Sequence, residues 1–253
     1  MILCIDIGNT NIVFALVEGD QILSKRRINT RTDITSDELE MILEFFFKKN
    51  KDISDIVVSS VVPPLNSIIR EACLSCFRKE PIVINHKMEF GISILYEEVE
   101  KLGLDRIINA AGAFNKYKKG VVIIDFGTAT TFDYVSSDGK YMGGAISPGI
   151  RISADALFKK AYQLPKIENF WIPKRVLAKG TLESINAGVI FGYASLVDGM
   201  VNRIKQETGD KNLITVATGG LCFLMKDICR NIDEVDEDLT IYGLAVAYRL
   251  NKK

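Results

Sequence analysis

The chain has 253 residues, enough for one large domain or two smaller ones. Apolar residues make up 47% and charged residues 25%, the balance of a globular protein with a substantial core. Lys plus Arg and Asp plus Glu both total 32, and a formal net charge of zero argues against a generally basic nucleic-acid or polyanion binder.

Residues 2–23 read ILCIDIGNTNIVFALVEGDQIL. An apolar run, an acid, a glycine-containing polar turn, a second apolar run and a tight-turn dipeptide describe a β-hairpin whose first turn is built to approach a ligand. No basic region precedes the run and Asp6 interrupts it, which argues against a signal peptide. Thr35-Ser36-Asp37-Glu38 offers a helix cap, followed by Leu39, Ile42, Leu43 and Phe46 at helical spacing, with Phe45-Phe46-Phe47 expected as a buried helix end. Residues 56–62 read as a buried strand stopped by Pro63-Pro64, residues 65–77 as a helix and 81–84 as a further strand. A hairpin followed by alternating strand and helix predicts a mixed sheet covered by helices.

The five cysteines suit a reducing cytoplasm, and Cys73-x-x-Cys76 lacks the second pair or neighbouring histidine of a zinc site. The single histidine, His86, is expected on a solvated loop outside the chemistry. Gly103-Leu104-Asp105-Arg106 precedes a helical pattern over 107–114. Asp105 there is either an N-cap or a proton acceptor beside a guanidinium that grips an anionic substrate.

Residues 121–142 read VVIIDFGTATTFDYVSSDGKYM and repeat the first hairpin. In a gapless overlay Asp6 meets Asp125, Gly8 meets Gly127, Asn9 and Asn11 meet Thr128 and Thr130, and Gly19-Asp20 meets Asp138-Gly139. Asp-x-Gly is common turn chemistry in a single copy; two copies in register point to duplication. Glycine lets backbone N–H groups crowd against an anion, while the preceding acid would repel a bare phosphate and so suggests a cation between them. Two such hairpins facing each other would hold a polyphosphate and its metal.

The small-residue run 143–150 can lie flat against a strand or a ligand. A helix is expected over 151–162, and the lone Trp171 as a packing anchor. The uncharged stretch 184–197 falls short of the roughly 20 residues of a membrane span, and belongs instead to a long helix, 182–208. Gly188, Gly192 and Gly199 on it suggest close helix approach, within the chain or across a dimer. A strand over 213–217 ends at Thr218-Gly219-Gly220, where a Gly-Gly can lie under a purine, and a helix over 238–250 closes the chain. The repeat divides the chain into lobes, placed at residues 1–112 and 113–253. Two lobes with a phosphate-gripping hairpin each, plus the late Gly-Gly, follow the logic of an α/β, duplicated actin-like (ribonuclease H-like) nucleotide-binding fold with mixed sheets flanked by helices.

The ordered set Asp6-Ile7-Gly8-Asn9-Thr10-Asn11, Gly103-Leu104-Asp105-Arg106, Asp125-Phe126-Gly127-Thr128-Ala129-Thr130-Thr131, Gly143-Gly144 with Pro148-Gly149, and Ala217-Thr218-Gly219-Gly220 resembles the type III pantothenate kinases. The resemblance implies ATP-dependent phosphorylation of pantothenate at the first step of coenzyme A synthesis. It implies phosphate binding by Asp6, Gly8, Asn9, Thr10, Asn11, Gly127 and Thr128, with Gly219 and Gly220 beside the nucleotide. Asp6 would lie on the Mg²⁺ side, directly or through water, and Asp125 would ligate a monovalent cation, K⁺ or NH₄⁺. Asp105 matches the proton acceptor, and Tyr96, Gly103, Leu104, Arg106 and Thr181 match substrate-binding positions. A cytoplasmic homodimer is implied, with pantothenate near the subunit interface and neither nucleic acid nor membrane as partner. Two departures touch substrate contacts: Glu97-Glu98 stands where the family often has Asn-Pro, and Lys179-Gly180-Thr181 where it often has Lys-Asn-Thr. Two other functions would share the fold, a non-catalytic regulatory relative and an actin-like phosphohydrolase; the retention of Asp6, Asp105 and Asp125 argues against the first.

Overall fold

The computed structural model describes residues 1–47, 52–161 and 163–252. In chain order the elements are β1 (Ile2–Ile7), β2 (Asn11–Glu18), β3 (Gln21–Asn29), α1 (Ser36–Phe47), β4 (Asp55–Ser60), α2 (Asn66–Phe77), β5 (Ile82–Val83), β6 (Ser93–Ile94) and α3 (Leu104–Tyr117). They continue with β7 (Val121–Phe126), β8 (Ala129–Val135), β9 (Lys140–Pro148), α4 (Ile150–Lys160), α5 (Thr181–Thr208), β10 (Ile214–Gly219), α6 (Cys222–Lys226), β11 (Glu234–Val235) and α7 (Leu239–Asn251). Two compact units result: Met1–Asn115 with Asp238–Lys253, and Lys116–Glu237.

In the first unit the strand order is β3-β2-β1-β4-β5. β1, β2 and β3 form an antiparallel meander, and β4 joins β1 in parallel, giving a mixed sheet. Leu3, Ile5, Ile7 and Phe14 of the hairpin pack with Leu39, Leu43 and Phe47 of α1. The start of α1 is a reciprocal capping box: the Glu38 amide donates to Thr35 Oγ1 at 3.2 Å, and the Thr35 amide donates to Glu38 Oε2 at 2.9 Å. Of the three consecutive phenylalanines Phe47 is buried, whereas Phe45 is 80% exposed. A helix turns 100° per residue, so three neighbours cannot share one buried face.

The closing helix α7 belongs to this unit, not with residues 113–237 as the division after residue 112 supposed. Its small residues allow the contact: a Cβ on Gly112 of α3 would stand 3.0 Å from the Gly243 Cα of α7. Tyr248 Oη donates to Asp55 Oδ2 at 2.5 Å, tying α7 to the start of β4. The apolar pattern of this helix announces burial but not which sheet it covers. His86 lies on a turn, as expected, but is half-buried rather than fully solvated, with Nε2 2.8 Å from the Leu102 carbonyl oxygen.

In the second unit the order β11-β10-β7-β8-β9 repeats the plan, with β7-β8-β9 antiparallel and β10 parallel to β7. Val122, Ile124 and Phe132 pack with Ile190, Val197 and Val201 of α5. By length and composition α5, at 28 residues, could cross a membrane; here it buries that apolar stripe against the sheet. Beyond α5's own nearby backbone, no atom of the described residues lies within 4 Å of a Cβ built on Gly188, Gly192 or Gly199, so the close approach these glycines suggested is not made among the described residues. Trp171 is 40% exposed, and its carbonyl accepts Asn186 Nδ2 at 2.8 Å; backbone rather than ring anchors that loop.

The duplication is visible residue by residue. Burial along β1 and β7 is the same, with Asp6 and Asp125 as the one half-buried position in each strand. A β-bulge falls at Leu16/Val17 in one hairpin and at Tyr134/Val135 in the other. The gapless overlay is nevertheless out of step across β2 and β8. Ile7 pairs with Ile12, whereas Phe126 pairs with Thr130, so the second ligand loop is one residue shorter. Asn11 is therefore equivalent to Ala129 rather than to Thr130.

Candidate active site

Each unit presents one set of the expected residues. In the first, Asp6 lies near the end of β1, and the Gly8 N–H closes the following loop by donating to the Asn11 carbonyl at 3.0 Å. A Cβ at Gly8 would stand 3.2 Å from that carbonyl oxygen, while Asn9 and Thr10 are exposed at the tip. The parallel register sets Ser59 of β4 beside Asp6. Ser59 is fully buried, and its hydroxyl has no hydrogen-bond partner among the described residues.

Asp105 is the second residue of α3, one place inside the helix rather than at its cap. The capping carbonyl is that of Gly103, which accepts the Arg106 and Ile107 amides at 3.1 and 3.3 Å. Asp105 Oδ1 accepts the Arg106 amide at 2.9 Å, and a Cβ on Gly103 would collide with that same oxygen. Glycine thus makes room for a carboxylate at a helix N-terminus, where the macrodipole favours negative charge. Arg106 itself is only 6% exposed, so its guanidinium is buried rather than displayed. Tyr96 is 39% exposed, two residues beyond β6.

In the second unit Asp125 stands at the matching place in β7, and the Gly127 N–H donates to the Ala129 carbonyl at 3.1 Å. The parallel register sets Thr218 of β10 beside Asp125, as Ser59 is set beside Asp6. Gly219 follows at φ +87°, and open space surrounds Gly220. Below them burial pushes the Cys222 thiol up to about 11, with the charges of Glu237 and Asp125 acting in the same direction. Thr181 is exposed as the first residue of α5, behind Gly180.

Sequence reasoning missed Ser59 and Thr218 as the acids' neighbours, because only strand pairing reveals them. Thr30 was also missed; its hydroxyl donates to the Gly8 carbonyl at 2.6 Å. Among the described residues no group of three His, Cys, Asp or Glu gathers to hold a metal ion. Two surface hollows of about 190 and 400 Å³ lie at the other end of the first unit's sheet, around Tyr248 and Lys252, and include none of the expected site residues.

The model of the type III pantothenate kinase family matches residues 2–203. A type III pantothenate kinase from Syntrophus aciditrophicus is 44% identical over 255 residues, covering 99% of this chain and 100% of that protein. Among solved structures, a Baf family transcriptional activator from Campylobacter jejuni superposes with a TM-score of 0.63 at 20% identity, covering 99% and 98% of the two chains. The ROK hexokinase from Thermus thermophilus gives 0.55 at 12% identity, covering 98% of each. The structural likenesses establish the actin-like α/β fold, and the family match, with 44% identity across a full-length relative, establishes the rest: this chain belongs to the type III pantothenate kinases.

Proposed function

We propose that Asp105 is the proton acceptor in the reaction for which this family is named. The enzyme phosphorylates pantothenate at the expense of ATP, the first step of coenzyme A biosynthesis. Asp105 would accept the hydrogen bond of the primary hydroxyl, orient the oxygen for in-line attack and take its proton. The transition state of phosphoryl transfer is loose, so positioning and charge neutralisation supply most of the rate.

Asp6, Gly8, Asn9, Thr10 and Asn11 would bind phosphate in one unit, and Gly127 and Thr128 in the other, with Gly219 and Gly220 beside the nucleotide. Neither loop contains a lysine. One carboxylate at each loop suits a cation that completes its shell from phosphate oxygens, backbone and water rather than from a cage of side chains. Asp6 would hold Mg²⁺, directly or through water, and Asp125 would hold K⁺ or NH₄⁺; the two cations would offset charge on the phosphoryl oxygens. Gly103, Leu104, Arg106, Tyr96 and Thr181 would contact pantothenate.

A cytoplasmic homodimer completes this reading. Ile146, Ile152, Val176 and Leu177 of the second unit are 65%, 45%, 66% and 85% exposed, apolar surface of the kind an interface covers. The observation that carries the kinase assignment is 44% identity over the full length of a named type III pantothenate kinase, in a chain that keeps all three acids. A coupled assay tests it: ADP release should require pantothenate and rise with K⁺ or NH₄⁺. Release at the same rate without pantothenate would mean a phosphohydrolase instead.

A further inference from the structure

The two hairpins share a contact, made to each loop from the residue just beyond the third strand. In the first, Thr30, the residue after β3, donates its amide to the Thr10 carbonyl at 2.9 Å and its hydroxyl to the Gly8 carbonyl at 2.6 Å. In the second, Gly149, the residue after β9, donates its amide to the Thr128 carbonyl at 3.0 Å. Thr10 immediately precedes β2 and Thr128 immediately precedes β8, so donor and acceptor are equivalent in the two copies. Duplicated sequences drift apart at most positions, and here the side chains differ while the bond is kept.

The second anchor is fixed further from behind. A Cβ on Gly149 would overlap the Thr128 carbonyl oxygen and stand 2.6 Å from that of Gly127. The neighbouring Pro148 carbonyl accepts Tyr193 Oη of α5 at 2.5 Å, and Tyr193 Oη lies 2.6 Å from Ser153 Oγ of α4. The turn that backs the loop is thus itself pinned to two helices.

We propose that Thr30 and Gly149 are positioning residues for nucleotide binding, each holding the phosphate loop of its own hairpin by its carbonyl oxygens. A trans peptide unit carries C=O and N–H on opposite sides. Tying the Gly8 carbonyl to Thr30 therefore turns the Asn9 amide the other way, toward the exposed rim of the loop. The same holds for Thr10 and for Thr128, whose carbonyls are drawn toward the anchor. Amides fixed in advance bind an anion without an ordering cost at the moment of binding. The inference rests on the kinase reading for the identity of the nucleotide, but its test does not depend on the acceptor.

The test uses the full chain, with MgADP affinity measured by calorimetry alongside KM for ATP, KM for pantothenate and the melting temperature. Thr30→Val keeps shape and amide and deletes the hydroxyl; it should weaken MgADP binding and raise KM for ATP by about three- to tenfold, the loss of one hydrogen bond. Thr30→Ser should restore both, and KM for pantothenate should stay at the wild-type value. Gly149→Ala should act in the same direction, with Tyr193→Phe as the milder probe should the alanine variant not fold. Wild-type MgADP affinity in both Thr30→Val and Tyr193→Phe would overturn the proposal. So would a failure of Thr30→Ser to rescue, a loss that falls equally on pantothenate, or a wild-type chain with no saturable response to MgADP or MgATP. If MgADP binds but pantothenate stimulates no turnover, the kinase reading falls and the anchors are judged on the MgADP data alone.

Discussion

Gly219 lies so close to Asp125 that a Cβ on the glycine would stand 2.5 Å from carboxylate Oδ1 and 2.7 Å from the Phe126 amide nitrogen. The expected purine-side glycine and the expected cation-side acid are therefore one packed structure. The absence of a side chain at 219 gives the carboxylate its place, in addition to any room it leaves for a ring.

Gly219→Ala should be costly on two counts. Its φ of +87° is a region that L residues rarely adopt, and the added methyl meets backbone as well as a carboxylate. Positive-φ strain alone amounts to about 1–3 kcal/mol, so urea denaturation should show at least that loss. The displaced Asp125 should also raise the half-saturating concentration of K⁺ or NH₄⁺. Wild-type stability together with wild-type cation response would refute the shared packing.

Asp105→Asn keeps the hydrogen bond from the Arg106 amide, since an amide oxygen can replace Oδ1, but it removes the proton acceptor. Turnover should fall by about two to four decades, the usual scale for a lost general base, while MgADP binding persists. Unchanged turnover would take Asp105 out of the chemistry.

The parts of this protein legible in its sequence are those written in local pattern. Both hairpins, the capping box at Thr35 and Glu38, the strand into Gly219 and the acid at the head of α3 follow from spacing and turn chemistry. What remained hidden depends on pairing between distant segments. Ser59 and Thr218 sit beside the two acids only because β4 and β10 run parallel to β1 and β7. The one-residue difference between the loops was masked because the second copy regains that residue in its distal turn, so the overlay closed again at Lys140. The placement of α7 was set by Gly112 and Gly243 across α3 and α7, whereas the more conspicuous glycines of α5 meet no other element among the described residues.

Four of the five cysteines should be silent in the folded protein. Burial raises Cys4, Cys73 and Cys229 to about 12 and Cys222 to about 11, from an ordinary value of 9.0. The thiolate is the reactive form, so at pH 8 an aromatic disulfide reagent should reach Cys76, the half-buried member, and the others only on unfolding. A raised folded pKa stabilises fully below the unfolded value and is lost as pH rises through the folded one. Stability should accordingly decline above about pH 9, as the unfolded chain ionises thiols that the core keeps neutral. Rapid labelling of several thiols in the native protein would contradict the burial on which this rests.

At the acid end the pair to watch is Asp55 with Tyr248. The phenol hydrogen bond is the largest of the effects that hold the Asp55 carboxyl below its ordinary value, with Ser54 and Lys252 adding smaller ones. A depressed carboxyl contributes stability above its unfolded pKa of about 3.9 and loses it as pH falls through the folded value. Tyr248→Phe should therefore lower the urea midpoint at pH 7 and have a smaller effect at pH 3, where Asp55 in the unfolded chain is already largely protonated. The same substitution leaves the ring in place between α7 and β4, so a loss of equal size at both pH values would trace to packing and would show that the hydrogen bond to Asp55 is not what ties the closing helix to the first sheet.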